Sequence, residues 1–375
     1  MNDKEKKEEF DKFFNEAFEE QEPKFDEHVN IALVGKVSAG KSSLLNALLG
    51  HTREDPIAPV GANSGVTTRI TPYKLDDKVL IVDCPGLDDV REENSDVTKD
   101  FLESIDLGIF VVTGSADSSQ KENFDDLKKN SKKTLVILNK IDEWDDLEES
   151  ALDDVINQWK TTLRVDKVFA TCTKGFDPKM RASAPMDIRG IDDVREEIFG
   201  FLKKHGKDIL LARFIKDKGS YALSIIVAAL LAVAAEAFIP GSAAYITATQ
   251  VTAIMALYYL YTGQVISKSH VLGLIPTFVG RSLGMNVFLW VKSILPPTGI
   301  LDIAAAGIAL MITFAMLAAV KSMLESGYSL DETDVLKSKF DIFKNSGKEL
   351  SKISIKDITD SEKLKSILFG IMSKS

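Results

Sequence analysis

Between Val29 and about Lys204 the apolar residues come in short runs separated by longer stretches of mixed polarity. The runs VNIALVG (29–35), KVLIVD (78–83), DLGIFVVT (106–113), TLVILNK (134–140) and KVFATC (167–172) are continuous rather than alternating. Strands buried on both faces read this way, and the interleaved stretches suit helices. The pattern predicts an α/β domain with a mostly parallel sheet covered on both sides. RITPYKL (69–75) is more polar and is expected as an antiparallel edge strand. RGIDDVREEIFGFL (189–202) closes the domain as a helix with Ile191, Val194 and Ile198 inward.

Outside that span the period changes. Phe10, Phe13, Phe14 and Phe18 recur at helix-face spacing in an acidic, lysine-bearing stretch, and Pro23 marks its end. From Tyr221 to Val320 the chain is almost wholly apolar. YALSIIVAALLAVAA (221–235) leads through Glu236 and FIPGSAA (238–244) into YITATQVTAIMALYYLYTG (245–263), and ILDIAAAGIALMITFAMLAAV (300–320) follows a break at LPPTG (295–299). The first two predict a helical hairpin around Pro240 and Gly241. The first and last approach the ~20 apolar residues that a membrane-spanning helix needs. After Lys321, Leu336, Phe340 and Phe343, then Leu364, Ile367, Leu368 and Ile371, mark two amphipathic helices. The expected division is an N-terminal amphipathic helix (1–28), the α/β domain (29–205), an all-α hydrophobic helical domain (206–325) and C-terminal amphipathic helices (326–375).

Charge sharpens this division. Only Glu236, Lys268, Arg281, Lys292 and Asp302 are charged between Tyr221 and Val320, so that block has little with which to coat a surface in water. The whole chain has 56 acidic and 46 basic residues, a net charge of −10, and no concentrated basic stretch. Nucleic acid is therefore not expected as a partner. Cys84 and Cys172 are the two cysteines and the opening residues lack a secretory pattern, so the cytoplasmic side of a cell is the expected location. His28, His51, His205 and His270 show no ligand-like pairing, and no zinc or haem site is expected.

The candidate chemistry begins at GKVSAGKS (35–42). Gly35, Gly40, Lys41 and Ser42 fit G-x-x-x-x-G-K-[ST] between a strand and a helix. There, glycines let backbone N–H groups face phosphates and the helix N-terminus adds positive field. Lys41 is expected on the β and γ phosphates and Ser42 on Mg²⁺, with Gly35, Lys36, Ser38, Ala39, Gly40 and Ser43 lining the nucleotide. DCPG (83–86) ends the next strand, placing the Asp83 carboxylate near the metal and the Gly86 N–H near the γ-phosphate. NKID (139–142) ends a later strand; Asn139 and Lys140 join the nucleotide site, and Asp142 is able to accept both N–H groups of a guanine edge.

Strands, phosphate loop, D-x-x-G and N-K-x-D in this order resemble the translation-factor-related class of P-loop GTPases, in its Era-like and dynamin-like branches. The resemblance implies a G domain that binds GTP and GDP with Mg²⁺. GVTTR (65–69) is similar to the switch I segment of Era-like proteins, which implies that Thr68, with Thr67 as neighbouring candidate, completes the Mg²⁺ shell. TCTKG (171–175) stands where the family keeps its loop under the guanine ring, implying Thr171 and Cys172; an ordinary strand-end loop is the alternative. Leu87 follows the D-x-x-G glycine, where Ras-like enzymes use glutamine to orient water, and an aliphatic side chain cannot do that. The catalytic burden then falls on Ser38, Lys41 and Thr68, with a bound cation or a partner as alternatives, and a slow intrinsic rate is expected. SAGKS is similar to the dynamin-like loop, whose corresponding serine organises catalysis; the alternative is that Ser38 merely fits the turn.

The apolar block resembles the hydrophobic domain of unknown function that follows Era-like G domains in many bacterial GTPases. Two functions follow as expectations. In the first, the GTP cycle drives a helical domain that engages a membrane, with lipid as partner and a membrane-associated or integral location. In the second, a soluble switch docks its helical bundle on a protein. The polar Thr247, Thr249, Gln250 and Thr252 favour a packed bundle, and the charge census favours lipid. Either allows a homodimer through the G domain or the helical domain.

Overall fold

The computed structural model describes residues 3–60, 71–92, 96–177, 179–181, 183–237, 239, 242–279, 302–352 and 361–372. Two compact units are present, residues 25–216 and residues 1–24 with 217–375.

In the first unit the apolar runs become β1 (Val29–Val34), β3 (Val79–Cys84), β4 (Ile105–Val112), β5 (Ser131–Leu138) and β6 (Phe169–Ala170), joined by β2 (Thr71–Lys74) in a sheet of order β2-β3-β1-β4-β5-β6. All pairings are parallel except β2 with β3, so the polar strand is the antiparallel edge. Helices α2 (Lys41–Leu48), α3 (Leu87–Glu92), α4 (Asp96–Glu103), α5 (Lys121–Asn130), α6 (Glu149–Leu163), α7 (Ile191–Lys204) and α8 (Asp208–Ala212) complete it, with a small hairpin of β7 (Cys172–Lys174) and β8 (Asp187–Arg189). Ile191, Val194 and Ile198 are buried, the inward face that the spacing of α7 requires.

Register positions what matters. Val34 pairs with Cys84, Val34 with Phe110, Val112 with Leu138, and Leu138 with Ala170. The carboxyl ends of β1, β3, β4, β5 and β6 therefore lie along one edge, the edge at which open parallel sheets bind ligands. At the opposite end, buried Asp106 accepts from Lys207 Nζ at 3.0 and 3.1 Å, from Lys132 Nζ at 2.8 Å and from the Asn30 backbone N–H at 3.1 Å. Removing either partner of such a buried pair strands a charge.

The expected boundary after residue 205 falls short of the observed one. Lys207 is tied to Asp106, Ile209, Leu210 and Leu211 are buried, and the Lys216 N–H donates to Leu49 O at 2.9 Å. These contacts keep α8 and the chain up to Lys216 with the sheet.

The second unit holds α1 (Asp3–Gln21), α9 (Lys218–Glu236), α10 (Ser242–Thr262), α11 (Lys268–Val279), α12 (Asp302–Glu325), α13 (Thr333–Ser346) and α14 (Ser361–Met372). The first and last helices thus fall in one compact unit with the apolar helices. Phe14 and Phe18 are buried, and Phe13 stacks on Tyr245 of α10 with ring centroids 6.0 Å apart. Leu336, Phe340, Phe343, Leu364, Leu368 and Ile371 are buried as the stripes predict, while Ile367 is half-buried.

Thr247, Thr249, Gln250 and Thr252 of α10 are all buried. Thr249 Oγ1 donates to Glu236 Oε1 at 2.8 Å, and Gln250 Nε2 donates to Thr313 Oγ1 at 2.8 Å. Polar groups inside a bundle persist when they find partners in this way. By length and composition alone, Lys218–Glu236, Ser242–Thr262 and Ala306–Glu325 are each able to cross a membrane, with 50%, 78% and 83% of their apolar windows buried inside the protein. Helices α10 and α12 therefore spend most of their apolar surface on the chain itself. The outer face of α9, with Ser220, Ser224, Ala228 and Ala235, is exposed. The expected hairpin turn at Pro240 and Gly241, and the LPPTG break, lie outside the described residues.

Candidate functional site

The loop from Gly35 to Gly40 leaves β1 and opens α2 under conditions that only a few residue types meet. A Cβ at Gly35 would lie 2.2 Å from the Val111 carbonyl oxygen, and one at Gly40, where φ is +88°, would lie 2.4 Å from Asn139 Nδ2. Both clashes would push the loop off the sheet edge, so the glycines are needed for close approach. Ser38 has φ +67°, a left-handed conformation that non-glycine residues rarely adopt, and its side chain is exposed. Strained backbone of this kind costs about 1–3 kcal/mol and gathers at ligand clamps.

Beneath the loop, three expected residues converge. Lys41 Nζ, nearly buried, donates to Gly35 O at 2.6 Å and Lys36 O at 3.1 Å and lies 3.4 Å from Asp83 Oδ1. Ser42 Oγ donates to Asp83 Oδ2 at 3.1 Å. Burial holds the Asp83 carboxyl above its ordinary value, with Lys41 and Ser42 pulling the other way. A cation in reach of Asp83 would relieve that burial. Ala39 is buried, while Lys36 reaches out of the loop to pair with Asp117, whose carboxyl that contact lowers to about 2. Ser43, the next residue of α2, is half-buried.

Asn139, fully buried, ties the end of β5 to the loop. Its Nδ2 donates to Ala39 O at 3.0 Å, while its Oδ1 accepts from Thr171 Oγ1 at 3.1 Å and Thr173 Oγ1 at 3.2 Å. Lys140 turns the chain in a left-handed conformation, φ +65°, into the short helical turn that carries Asp142. Cys172 Sγ lies 3.4 Å from Asp142 Oδ1, and Lys174 Nζ lies 3.0 Å from Asp142 Oδ2. Gly86 lies two residues past the end of β3, and a Cβ there would meet Asn123 Oδ1 at 3.2 Å. Leu87 is buried, in the core cluster that also holds Phe124 and Leu127.

The structure thus brings Lys41, Ser42 and Asp83 together, and Asn139, Thr171, Cys172 and Asp142 together; Thr67 and Thr68 lie outside the described residues. Sequence reasoning missed Tyr73, Asp117, Asn123, Thr173 and Lys174. Tyr73 shares a face with its register partner Ile81 on β3, and its hydroxyl lies 3.5 Å from Ser42 Oγ. Only the pairing of β2 with β3 reveals that proximity. Lys174 stood inside the TCTKG stretch, where the hairpin geometry of β7 was the missing information. Among the described residues no group of three or more His, Cys, Asp or Glu side chains is poised to hold a metal. Mg²⁺ does not need one, since it binds through one or two protein oxygens, waters and phosphates. Ser42 and Asp83 offer that hard-oxygen pair.

Residues 30–140 match the protein-family model described as 50S ribosome-binding GTPase. The GTPase Der of Clostridium perfringens is 30% identical over 182 residues, which cover 45% of this chain and 36% of Der. This chain spans about a third of the length of the curated relatives it matches. Among solved structures, Aquifex aeolicus Era bound to GDP.AlF4- is similar over 46% of this chain and 57% of Era, at 21% identity and a TM-score of 0.32. A protein of an oligomerised bacterial dynamin pair is similar over 99% of this chain and 76% of its own, at 14% identity and a TM-score of 0.34.

Proposed function

We propose that this chain, built around the P-loop GTPase domain that spans residues 30–140, binds GTP with Mg²⁺, hydrolyses it to GDP and phosphate, and couples that cycle to a helical unit that engages a membrane. The observation that carries the enzymatic part is the convergence of Lys41, Ser42 and Asp83 beneath a loop whose glycines cannot be replaced. Lys41 holds the β and γ phosphates, the loop from Gly35 to Ser43 cradles them, and Gly86 turns its N–H toward the γ-phosphate. Ser42, Asp83 and Thr68 would hold Mg²⁺, which neutralises charge on the phosphate oxygens when bound. Asn139 braces the base loop against the phosphate loop, Lys140, Thr171 and Cys172 line the base, and Asp142 accepts the guanine edge.

The base assignment has a direct test. Asp142→Asn is expected to weaken GTP binding and to shift preference toward xanthosine nucleotides, whose altered edge presents an acceptor to the new amide. Titration of the unmutated chain with GTP and ATP completes the test, because equal affinities would end the guanine assignment.

Phosphoryl transfer is mostly positioning and charge stabilisation. Leu87 contributes neither, since it is buried. The work falls to Ser38, Lys41 and Thr68, and the unassisted rate is slow. Leu87→Ala removes a fully buried side chain and is expected to cost about 2–5 kcal/mol of stability. In single-turnover assays of folded protein it slows hydrolysis less than Ser38→Ala or Thr68→Ala. If it proves the most damaging of the three, the catalytic burden lies elsewhere.

Membrane engagement is supported by the apolar, nearly uncharged make-up of residues 221–320 and by the exposed outer face of α9. A second reading, a soluble switch whose bundle docks on a protein partner, is favoured by the buried polar pairs that Thr249 and Gln250 of α10 make inside the bundle. Either reading admits a homodimer and places the chain on the cytoplasmic side. Co-sedimentation with liposomes in the GTP, GDP and nucleotide-free states separates the two.

A further inference from the structure

The carboxylate assigned to the guanine edge is already held by the chain's own donors. Oδ1 of Asp142 faces the Cys172 thiol at 3.4 Å and Oδ2 faces the Lys174 ammonium at 3.0 Å, both donors supplied by β7. Burial pushes the Cys172 thiol up to about 11, so it keeps its proton at neutral pH and remains a donor. Burial acts on Asp142 too, yet the donors on its oxygens hold its carboxyl below the usual range. The exposures of the ion pair are unequal. The Asp142 side chain is 17% exposed, so little of it is open to an incoming base, whereas that of Lys174 is 57% exposed and has room to swing into water.

Guanine brings two donors to this carboxylate, N1–H and the exocyclic amine, and hypoxanthine brings only N1–H. A carboxylate has lone pairs for several donors in open solution. Here the thiol takes one oxygen and the ammonium the other, so a base that brings two donors must displace the ammonium, whereas a base with one need not. We propose that Lys174 is a latch on the base-recognition carboxylate, occupying one oxygen of Asp142 and giving way when guanine binds. The latch weakens guanine affinity and narrows the preference of guanine over hypoxanthine, because a base without the exocyclic amine leaves the lysine its oxygen. This inference rests on the assignment of Asp142 to guanine proposed above.

The test is equilibrium titration of the full chain with GDP and IDP, using the unmutated protein, Lys174→Ala, Lys174→Gln and Lys174→Arg. An exposed ion pair is a small effect, so Lys174→Ala and Lys174→Gln are expected to tighten GDP binding about two- to five-fold. IDP affinity stays within error and Lys174→Arg resembles the unmutated chain. Weaker or unchanged GDP binding in both neutral variants would overturn the latch, as would an equal gain for IDP. The underlying base assignment fails on a different reading. If Asp142→Asn leaves GDP affinity intact and gains nothing for XDP, Asp142 does not recognise guanine, whatever the lysine variants do.

Discussion

Lys41→Ala is expected to lose tight GTP binding, with affinity falling roughly 30-fold to several-thousand-fold, the equivalent of about 2–5 kcal/mol for truncating one partner of a desolvated charge pair. The ammonium is in place before any ligand arrives. It is nearly buried, fixed by Gly35 O at 2.6 Å and Lys36 O at 3.1 Å, and balanced by Asp83 at 3.4 Å. A triphosphate entering the loop meets a charge already desolvated and aimed, so charge-assisted hydrogen bonds form with little reorganisation. Alanine removes those bonds and leaves Asp83 with Ser42 as its remaining close polar partner, so like charges face each other across the site. Isothermal titration with GTP in Mg²⁺ checks the prediction, with thermal unfolding as a control for fold. Unmutated affinity in a folded Lys41→Ala protein would remove the phosphate loop from the mechanism.

How much of this was legible in the sequence depended on whether the information was local. The strands β1, β3, β4 and β5 were legible because each is a continuous apolar run, and the runs of β1, β3 and β5 each end in a motif. Parallel pairing then brings Gly35, Asp83 and Asn139 to one edge. The contacts that join the motifs were not legible. Asn139 reaching Ala39, Tyr73 approaching Ser42, and Lys174 pairing with Asp142 each depend on register or on a hairpin far away in sequence. The fate of the apolar block was hidden for another reason. Composition fixes that a helix avoids water but not what covers it, and Ala-rich helices pack as closely on one another as on lipid. In the folded protein Gln250 bonds to Thr313, and Thr249 to Glu236, inside the bundle. The stretch up to Lys216 stays with the sheet through contacts distant in sequence, Lys207 with Asp106 of β4 and the Lys216 N–H with Leu49 O among them.

Two arginine substitutions on α9, two residues apart in sequence, are expected to fail in different ways. Leu230 is 1% exposed. Leu230→Arg puts an unpaired charge into the packed helical unit, a change expected to cost about 3–5 kcal/mol or more. Its outcome is a lower melting temperature and poor solubility, with any membrane binding lost through unfolding rather than through contact. Ala228 lies on the exposed face of the same helix. Ala228→Arg leaves the packing alone and should melt within a few degrees of the unmutated protein. If the outer face of α9 sits in the apolar part of a bilayer, the new charge costs up to about 2.5–3.5 kcal/mol and reduces partitioning by roughly a hundredfold. Liposome flotation and GTP titration of both variants therefore read packing and lipid contact separately. Unmutated protein that ignores liposomes with GTP, with GDP and without nucleotide would sink the membrane reading. If Ala228→Arg floats as well as the unmutated protein, lipid contact does not run through α9. A loss of flotation in Ala228→Arg at unchanged melting and unchanged GTP affinity is the result that lipid contact through α9 requires, because neither a buried core nor a protein-docking surface predicts it.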